Sequence, residues 1–263
     1  MKKIMKIKYI FISLGLIVSV VLSVVFFYKF DPSLLKELSF YANLANPSMR
    51  IVRVEPGLRK EQIANVLSTS LDWDTTESES FIDTASEEGR YFPKTYFIHK
   101  DENPFTVKNI MVNEFSKQVS KVKRPKIKQA ITEDTALKIA SIIEREAAGK
   151  GDMNLISGII HNRISKRMKL QIDATIQYAK GSEEDGWWKK VKSEDKKIKS
   201  LYNTYLYPGL PPGAIANPSL DAISAAFNPQ KTNCLFYLHD RNRKIHCTKT
   251  YEEHKRNIDI YLK

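Results

Sequence analysis

Two glutamates, Glu144 and Glu146, stand at the margins of an apolar helical face in the segment from Ala136 to Ala148. At about 100° per residue, Ala136, Leu137, Ile139, Ala140, Ile142, Ile143 and Ala147 gather on one arc and Arg145 points away from it. Glu144 lies at one edge of the arc, beside Ala140 and Leu137, and Glu146 at the other, beside Ile139 and Ile142. A carboxylate half-sunk in an apolar wall is costly to ionise, so its pKa rises. That suits an acid that keeps its proton near neutral pH and gives it to a leaving group. The plainer alternative is a pair of edge glutamates balanced by Arg145, Lys138 or another basic neighbour. Spacing alone chooses neither between these readings nor between the two residues.

Four constrained polar segments follow in the chain: Met168 to Tyr178, Tyr202 to Tyr205, Pro208 to Pro218, and His246 to His254. Gly209-Leu-Pro-Pro-Gly213 fits neither regular helix nor central strand. Gln171, Asp173, Thr175, Asn203 and Tyr205 offer amide, hydroxyl, carboxylate and aromatic groups, the types that bind sugar hydroxyls and rings. Asn217-Pro218 is expected to cap a helix beginning near Ser219. The histidines lack close ligand spacing, so no metal or other cofactor is expected.

The elements that must position these groups follow from periodicity and caps. Thr132 is a plausible N-cap for the glutamate helix, with Glu133 and Asp134 in the favourable first turn, and Gly149 to Asp152 ends it. A further helix spans about 153–164 and leads to Asn162-Arg163. Upstream, Phe105 to Val122 reads as an amphipathic helix. Met49 to Val54 alternates like a strand. Pro56-Gly57 turns, and helices follow near 59–67 and 77–84. This strand–turn–helix–helix order is that of a small carbohydrate-binding module. A short helical piece is expected within 34–44. The tryptophans Trp187 and Trp188 lie in a charged stretch that either stacks on sugars or pins a loop to the body.

The N-terminus indicates the compartment. Lys2, Lys3, Lys6 and Lys8 precede an uncharged run of 20 residues, Tyr9 to Tyr28, long enough to cross a bilayer core as a helix. The lysines should stay in the cytoplasm, so the rest is exported. The run lacks a small-x-small cleavage site, which favours a retained anchor over a cleaved signal. The formal charge of +12 would ordinarily suggest nucleic acid. Export points instead to an anionic wall polymer or lipid headgroup. Cys234 and Cys247 flank a hairpin with Asp240 opposite Arg243. Diagonal spacing leaves a disulfide and two buried thiols both open.

Together these segments resemble the YceG-like family of endolytic murein transglycosylases, the MltG type. The resemblance covers about residues 86–263 and runs in order through Glu-Gly-x-x-Phe-Pro-x-Thr-Tyr (88–96), Ala-Ser-Ile-Ile-Glu-x-Glu (140–146) and Asn-Arg (162–163). It continues through Leu-Gln-x-Asp-x-Thr-x-x-Tyr (170–178), Tyr-Asn-Thr-Tyr (202–205), Gly-Leu-Pro-Pro-Gly-x-Ile (209–215) and the histidines His246 and His254. It implies a lyase that cuts the β-1,4 bond between N-acetylmuramic acid and N-acetylglucosamine in nascent strands, limiting their elongation. The muramic C6 hydroxyl attacks C1, leaving a 1,6-anhydro end. The alternative is a non-catalytic, membrane-anchored peptidoglycan-binding or scaffold protein that keeps the fold but not the turnover. The resemblance assigns the catalytic acid to Glu146. Gln171, Asp173, Thr175, Asn203, Tyr205 and His246 are the expected substrate-binding residues by their chemistry, with the alternative that such residues are buried polar groups tying loops to the core. Glu144 becomes a supporting group, with Arg163 as its expected partner.

The expected fold class is α+β. It comprises a cytoplasmic tail (1–8), a transmembrane helix (9–28), a linker (29–48), a small LysM-like α+β subdomain (49–85) and a mixed α/β catalytic domain (86–263). The expected setting is the cell membrane with the catalytic domain outside the cytoplasm. Expected partners are glycan strands, the membrane and the peptidoglycan synthases, with no nucleic acid. Two positions depart from the family pattern: Cys247 stands where an aromatic is usual, and Lys255 where asparagine is usual.

Overall fold

A computed structural model describes residues 32–84, 88–124 and 131–263, together with a few positions between 15 and 23. The expected tail and anchor, 1–28, lie outside the described residues apart from those few positions. Among the described residues no helix is long and apolar enough to cross a membrane.

The chain divides after Met49 into two units. The first contains α1 (Pro32–Ala45), where Leu35, Leu38, Phe40, Tyr41 and Leu44 are exposed. The second, from Arg50 onward, is built around two apolar clusters. The smaller is formed by β1 (Met49–Arg53), α2 (Lys60–Leu71), α3 (Thr75–Thr84), β2 (Thr95–His99) and the first half of α4 (Pro104–Val119). Val52, Ile63, Leu67, Phe81, Tyr91, Ile98, Val107 and Met111 fill it. β1 takes β2 as its hydrogen-bonded partner. The boundary expected at residue 85 therefore falls between two strands of one sheet. Local pattern shows the first strand and both helices but cannot show which later segment completes the ladder.

The larger cluster holds α5 (Glu133–Glu146), α6 (Lys150–Ser165), α7 (Asp173–Lys180) and α8 (Leu220–Phe227). Ile139, Ile142, Ile143, Ile156, Ile160 and Ile223 meet there, joined by Phe115 and Val119 from the second half of α4. α4 thus contributes to both clusters. Its helical span, expected over 105–122, begins at Pro104, which Asn103 caps by accepting from Thr106 N–H at 2.9 Å. α5 starts where its cap predicts, with Thr132 Oγ1 accepting from Thr135 N–H at 3.1 Å. It stops at Glu146 because Ala147 turns extended.

Ser219, rather than Asn217-Pro218, caps α8. Asn217 serves as a strut: its Oδ1 accepts from Tyr91 N–H at 2.8 Å, and its Nδ2 donates to Leu58 O and Glu88 Oε1. Gly89, at φ +95, packs beside Ala214, whose methyl would lie 2.7 Å from any added Cβ. This requirement explains a glycine in the 88–96 motif.

β3 (Phe236–His239) and β4 (Ile245–Thr248) form an antiparallel hairpin, followed by α9 (Tyr251–Tyr261). The register pairs His239 with Ile245 and Tyr237 with Cys247, one residue away from the expected pairing of Asp240 with Arg243. Asp240 instead faces Lys244 across a turn in which Arg243 has φ 63. Cys234, just ahead of β3, is disulfide-bonded to Cys247 across a Cα separation of 5.7 Å.

Candidate active site

The C-terminal end of α5 opens into a cleft of about 450 Å³. Glu146 lines it, together with Gln171, Asp173, Tyr205, Arg163 and Tyr237. Tyr237 donates its hydroxyl to Glu146 Oε2 at 2.6 Å, and the amide of Ala174 at the start of α7 also hydrogen-bonds the carboxyl. Burial is the largest influence and raises the Glu146 pKa. The Asp173 charge adds to the rise, while Tyr237, His239 and Ala174 oppose it. The balance keeps a carboxylic acid protonated above the usual range in a groove that a polymer could enter.

Across the cleft, Tyr205 donates its hydroxyl to Asp173 Oδ1 at 2.7 Å. Burial, then Asp173, raises the phenol's pKa, so it stays a donor. Lys196 places its ammonium 4.7 Å from the centre of the Tyr205 ring. Gln171 is held at φ 52, a left-handed conformation unusual for its type. Its amide N–H donates to Thr204 O at 3.1 Å, which leaves the exposed side chain at the cleft lip.

Three expected binding residues are not brought to this cleft. Thr175 is fully buried and bonds Ile172 O and Thr204 Oγ1. Asn203 is equally buried. Its Nδ2 donates to Lys196 O and Ile198 O, and its Oδ1 accepts from Tyr205 N–H. Both residues tie the loops that present Gln171, Lys196 and Tyr205. His246 pairs with Asp240 at 2.9 Å and stacks on Tyr261 with ring centres 3.7 Å apart. His254, in contrast, lines the cleft beside Phe236. The β pleat accounts for His246, which pairs with Leu238 and so lies on the opposite face of the hairpin from Tyr237, whereas His254 is carried by α9.

Glu144 has a different partner from the expected Arg163. Its Oε2 accepts from Ser219 N–H at 2.9 Å and from Ser219 Oγ at 2.6 Å. Arg163 instead donates to Leu235 O at 2.5 Å and Leu170 O at 2.6 Å, and Asn162 donates to Thr232 O and Cys234 O. The Asn-Arg pair therefore anchors both the segment entering β3 and the loop carrying Gln171. Trp188 donates to Gln62 Oε1 at 2.9 Å and lies under Arg145, while Trp187 lies under Arg59. The tryptophans pin their loop to the body.

Sequence reasoning missed Tyr237 and Lys196. Tyr237 sits in a short strand of mixed aromatics, where no spacing marks it. Among the described residues no three His, Cys, Asp or Glu side chains cluster as metal ligands would.

The family model described as "YceG-like family" matches residues 27–260. The chain belongs to the YceG-like family. The YceG-like chain is 36% identical over 176 residues to a Bacillus subtilis (strain 168) protein named endolytic murein transglycosylase. That alignment covers 66% of this chain and 48% of the relative. A protein of the same name from Streptococcus pneumoniae serotype 2 (strain D39) is 32% identical over 173 residues, covering 65% of this chain and 31% of the relative. The chain thus spans half or less of the length of these curated relatives. Among solved structures, a yceG-like protein from Listeria monocytogenes matches with a TM-score of 0.65 and 28% identity, over 81% of this chain and 76% of that one.

Proposed function

We propose that this protein is an endolytic murein transglycosylase, a lyase that cleaves the bond between N-acetylmuramic acid and N-acetylglucosamine within peptidoglycan strands. The observation that carries the reading is Glu146, a carboxyl whose pKa is raised by burial and which lies at the wall of an open polar cleft. In this reading Glu146 protonates the leaving oxygen. The substrate's own C6 hydroxyl then attacks C1 and returns its proton to the carboxylate, leaving a 1,6-anhydro end. Gln171, Asp173 and Tyr205 hold the sugar, and Thr175 and Asn203 brace the loops that carry them. Names shared by the relatives support the substrate class.

The membrane setting belongs to the same proposal. Residues 9–28 anchor the chain, the catalytic region from 86 lies outside the cytoplasm near the synthases, and a LysM-like glycan-binding module precedes it. β1 of that module pairs with β2 of the catalytic region, so one sheet joins the two.

Asp173 favours a second reading. A hydrolytic muramidase needs two carboxylates in one cleft, and Asp173 shares the cleft with Glu146. Product mass decides between them: a hydrolase leaves reducing ends one water heavier than anhydro ends. The full chain on uncrosslinked glycan should release anhydro-ended fragments, and Glu146→Gln should reduce release at least about a hundredfold. Equal release by both proteins would sink the enzyme reading.

A further inference from the structure

Glu146 is the last residue of α5, and the side chain that meets its carboxyl comes from β3. Tyr237 donates to Oε2 at 2.6 Å. Its own acidity is suppressed, because burial, followed by the Glu146 charge, drives the phenol well above its ordinary value. Tyr237 is therefore a permanent donor at any pH where the enzyme works. The strand that carries it is fixed from three sides: Arg163 holds Leu235 O just upstream, Cys247 stands opposite Tyr237 in the ladder, and Cys247 is bonded to Cys234.

We propose that Tyr237 is a positioning residue for Glu146, holding the carboxyl toward the cleft and steadying the carboxylate that exists between proton donation and proton return. The proposal rests on the lytic reading of the site. In the first half of that reaction the glycosidic oxygen takes the Glu146 proton as its bond to C1 breaks. In the second, the C6 hydroxyl gives its proton to the carboxylate as the new C1–O6 bond forms. Between the two, the protein holds a negative charge in a partly desolvated wall. A donor to one carboxylate oxygen stabilises that state more than it stabilises the neutral acid.

Other groups also bear on this carboxyl. Arg145 lies on the same helix. Asp173 and the Ala174 amide come from α7, and His239, paired with Asp152 at 3.1 Å, comes from β3. Arg163, Tyr205, Lys196, Tyr251 and His254 line the same cleft. Glu144 is engaged by Ser219. Of these side chains Tyr237 makes the hydrogen bond to Glu146, so its removal has the most local effect.

The test is Tyr237→Phe, which keeps the ring and removes only the donor. The detergent-solubilised full chain is assayed for anhydro-end release from pH 4 to pH 9 (about this range brackets the carboxyl). In parallel, the side-chain carboxyl carbon of Glu146 is titrated by NMR in glutamate-labelled protein, with Glu146→Gln providing the assignment. The alkaline limb of kcat and the NMR midpoint should both move up by about one pH unit, and the plateau kcat should fall several-fold, with the melting temperature little changed. An unmoved limb and midpoint, whatever happens to kcat, would overturn the positioning role. Absence of anhydro ends from the wild-type protein would instead remove the lytic reading. The NMR titration would still report whether Tyr237 governs the carboxyl.

Discussion

The carboxylate of Glu144 is bound twice by Ser219, through its backbone N–H at 2.9 Å and its hydroxyl at 2.6 Å, at the first turn of α8. Two residues further along α5, Glu146 faces the cleft. One helix end thus carries a carboxylate engaged by a neighbouring helix cap and another that lines the cleft, the one to which the proposed function gives the chemistry. The first sits where a helix N-terminus favours negative charge.

Separate consequences follow for the two. Glu144→Gln or Ser219→Ala should lower unfolding stability by about 1–2 kcal/mol, the range of a lost cap or a lost charge-assisted hydrogen bond. Anhydro-end release should remain within about tenfold of wild type, whereas Glu146→Gln abolishes it without comparable loss of stability. Urea titration with product assay on the same samples checks both. A Glu144→Gln protein as inactive as Glu146→Gln would mean that the roles have been assigned to the wrong residue.

Glu88 gives stability a pH dependence. Its Oε2 accepts from Lys60 N–H and its Oε1 from Asn217. Burial pushes its pKa from 4.5 up to about 7, against the opposing Lys60 hydrogen bond. The folded pKa is therefore above the unfolded one. The folded state holds a proton that the unfolded state has released, so stability falls as pH rises between about 4.5 and 7. The contribution is on the order of 3 kcal/mol, present in full below the window and lost above it. Denaturant midpoints at pH 5 and pH 8 should show this decline, and Glu88→Gln should flatten it. A wild-type midpoint that does not fall across the window would refute the assignment.

The disulfide joins positions 13 apart. Closing a loop of that length restricts the unfolded chain by about 3 kcal/mol. Cys234→Ser paired with Cys247→Ser, or reduction of the native protein, should lower the melting temperature by several degrees. It should also reduce turnover, because Tyr237 sits opposite Cys247. Thermal melts with and without reductant, alongside product assay, measure both effects. Unchanged melting under full reduction would show that the bridge is not formed in solution.

The amino-acid order determined much of this by itself, wherever the physics is local. Thr132 and the Glu133–Asp134 turn start α5, and isoleucine spacing selects the buried face, so two glutamates had to stand at that face's margins. The same spacing and caps indicate a helix over 105–122, another over about 153–164 and a third beginning near Ser219, and the structure places them at 104–119, 150–165 and 220–227. Which glutamate faces the cleft depended on what lay opposite. Ser219 claims Glu144 from 75 residues away and Tyr237 claims Glu146 from 91 away. Neither partner is visible in any local window.

Distance along the chain also hid the β1–β2 pairing, the role of Asn217 as a strut and the buried bracing by Thr175 and Asn203. A polar residue in a stiff loop looks the same in sequence whether it faces a substrate or satisfies a buried backbone group, because both tasks need the same donors and acceptors. Only the packed chain, in which every buried polar atom must find its partner, separates the two.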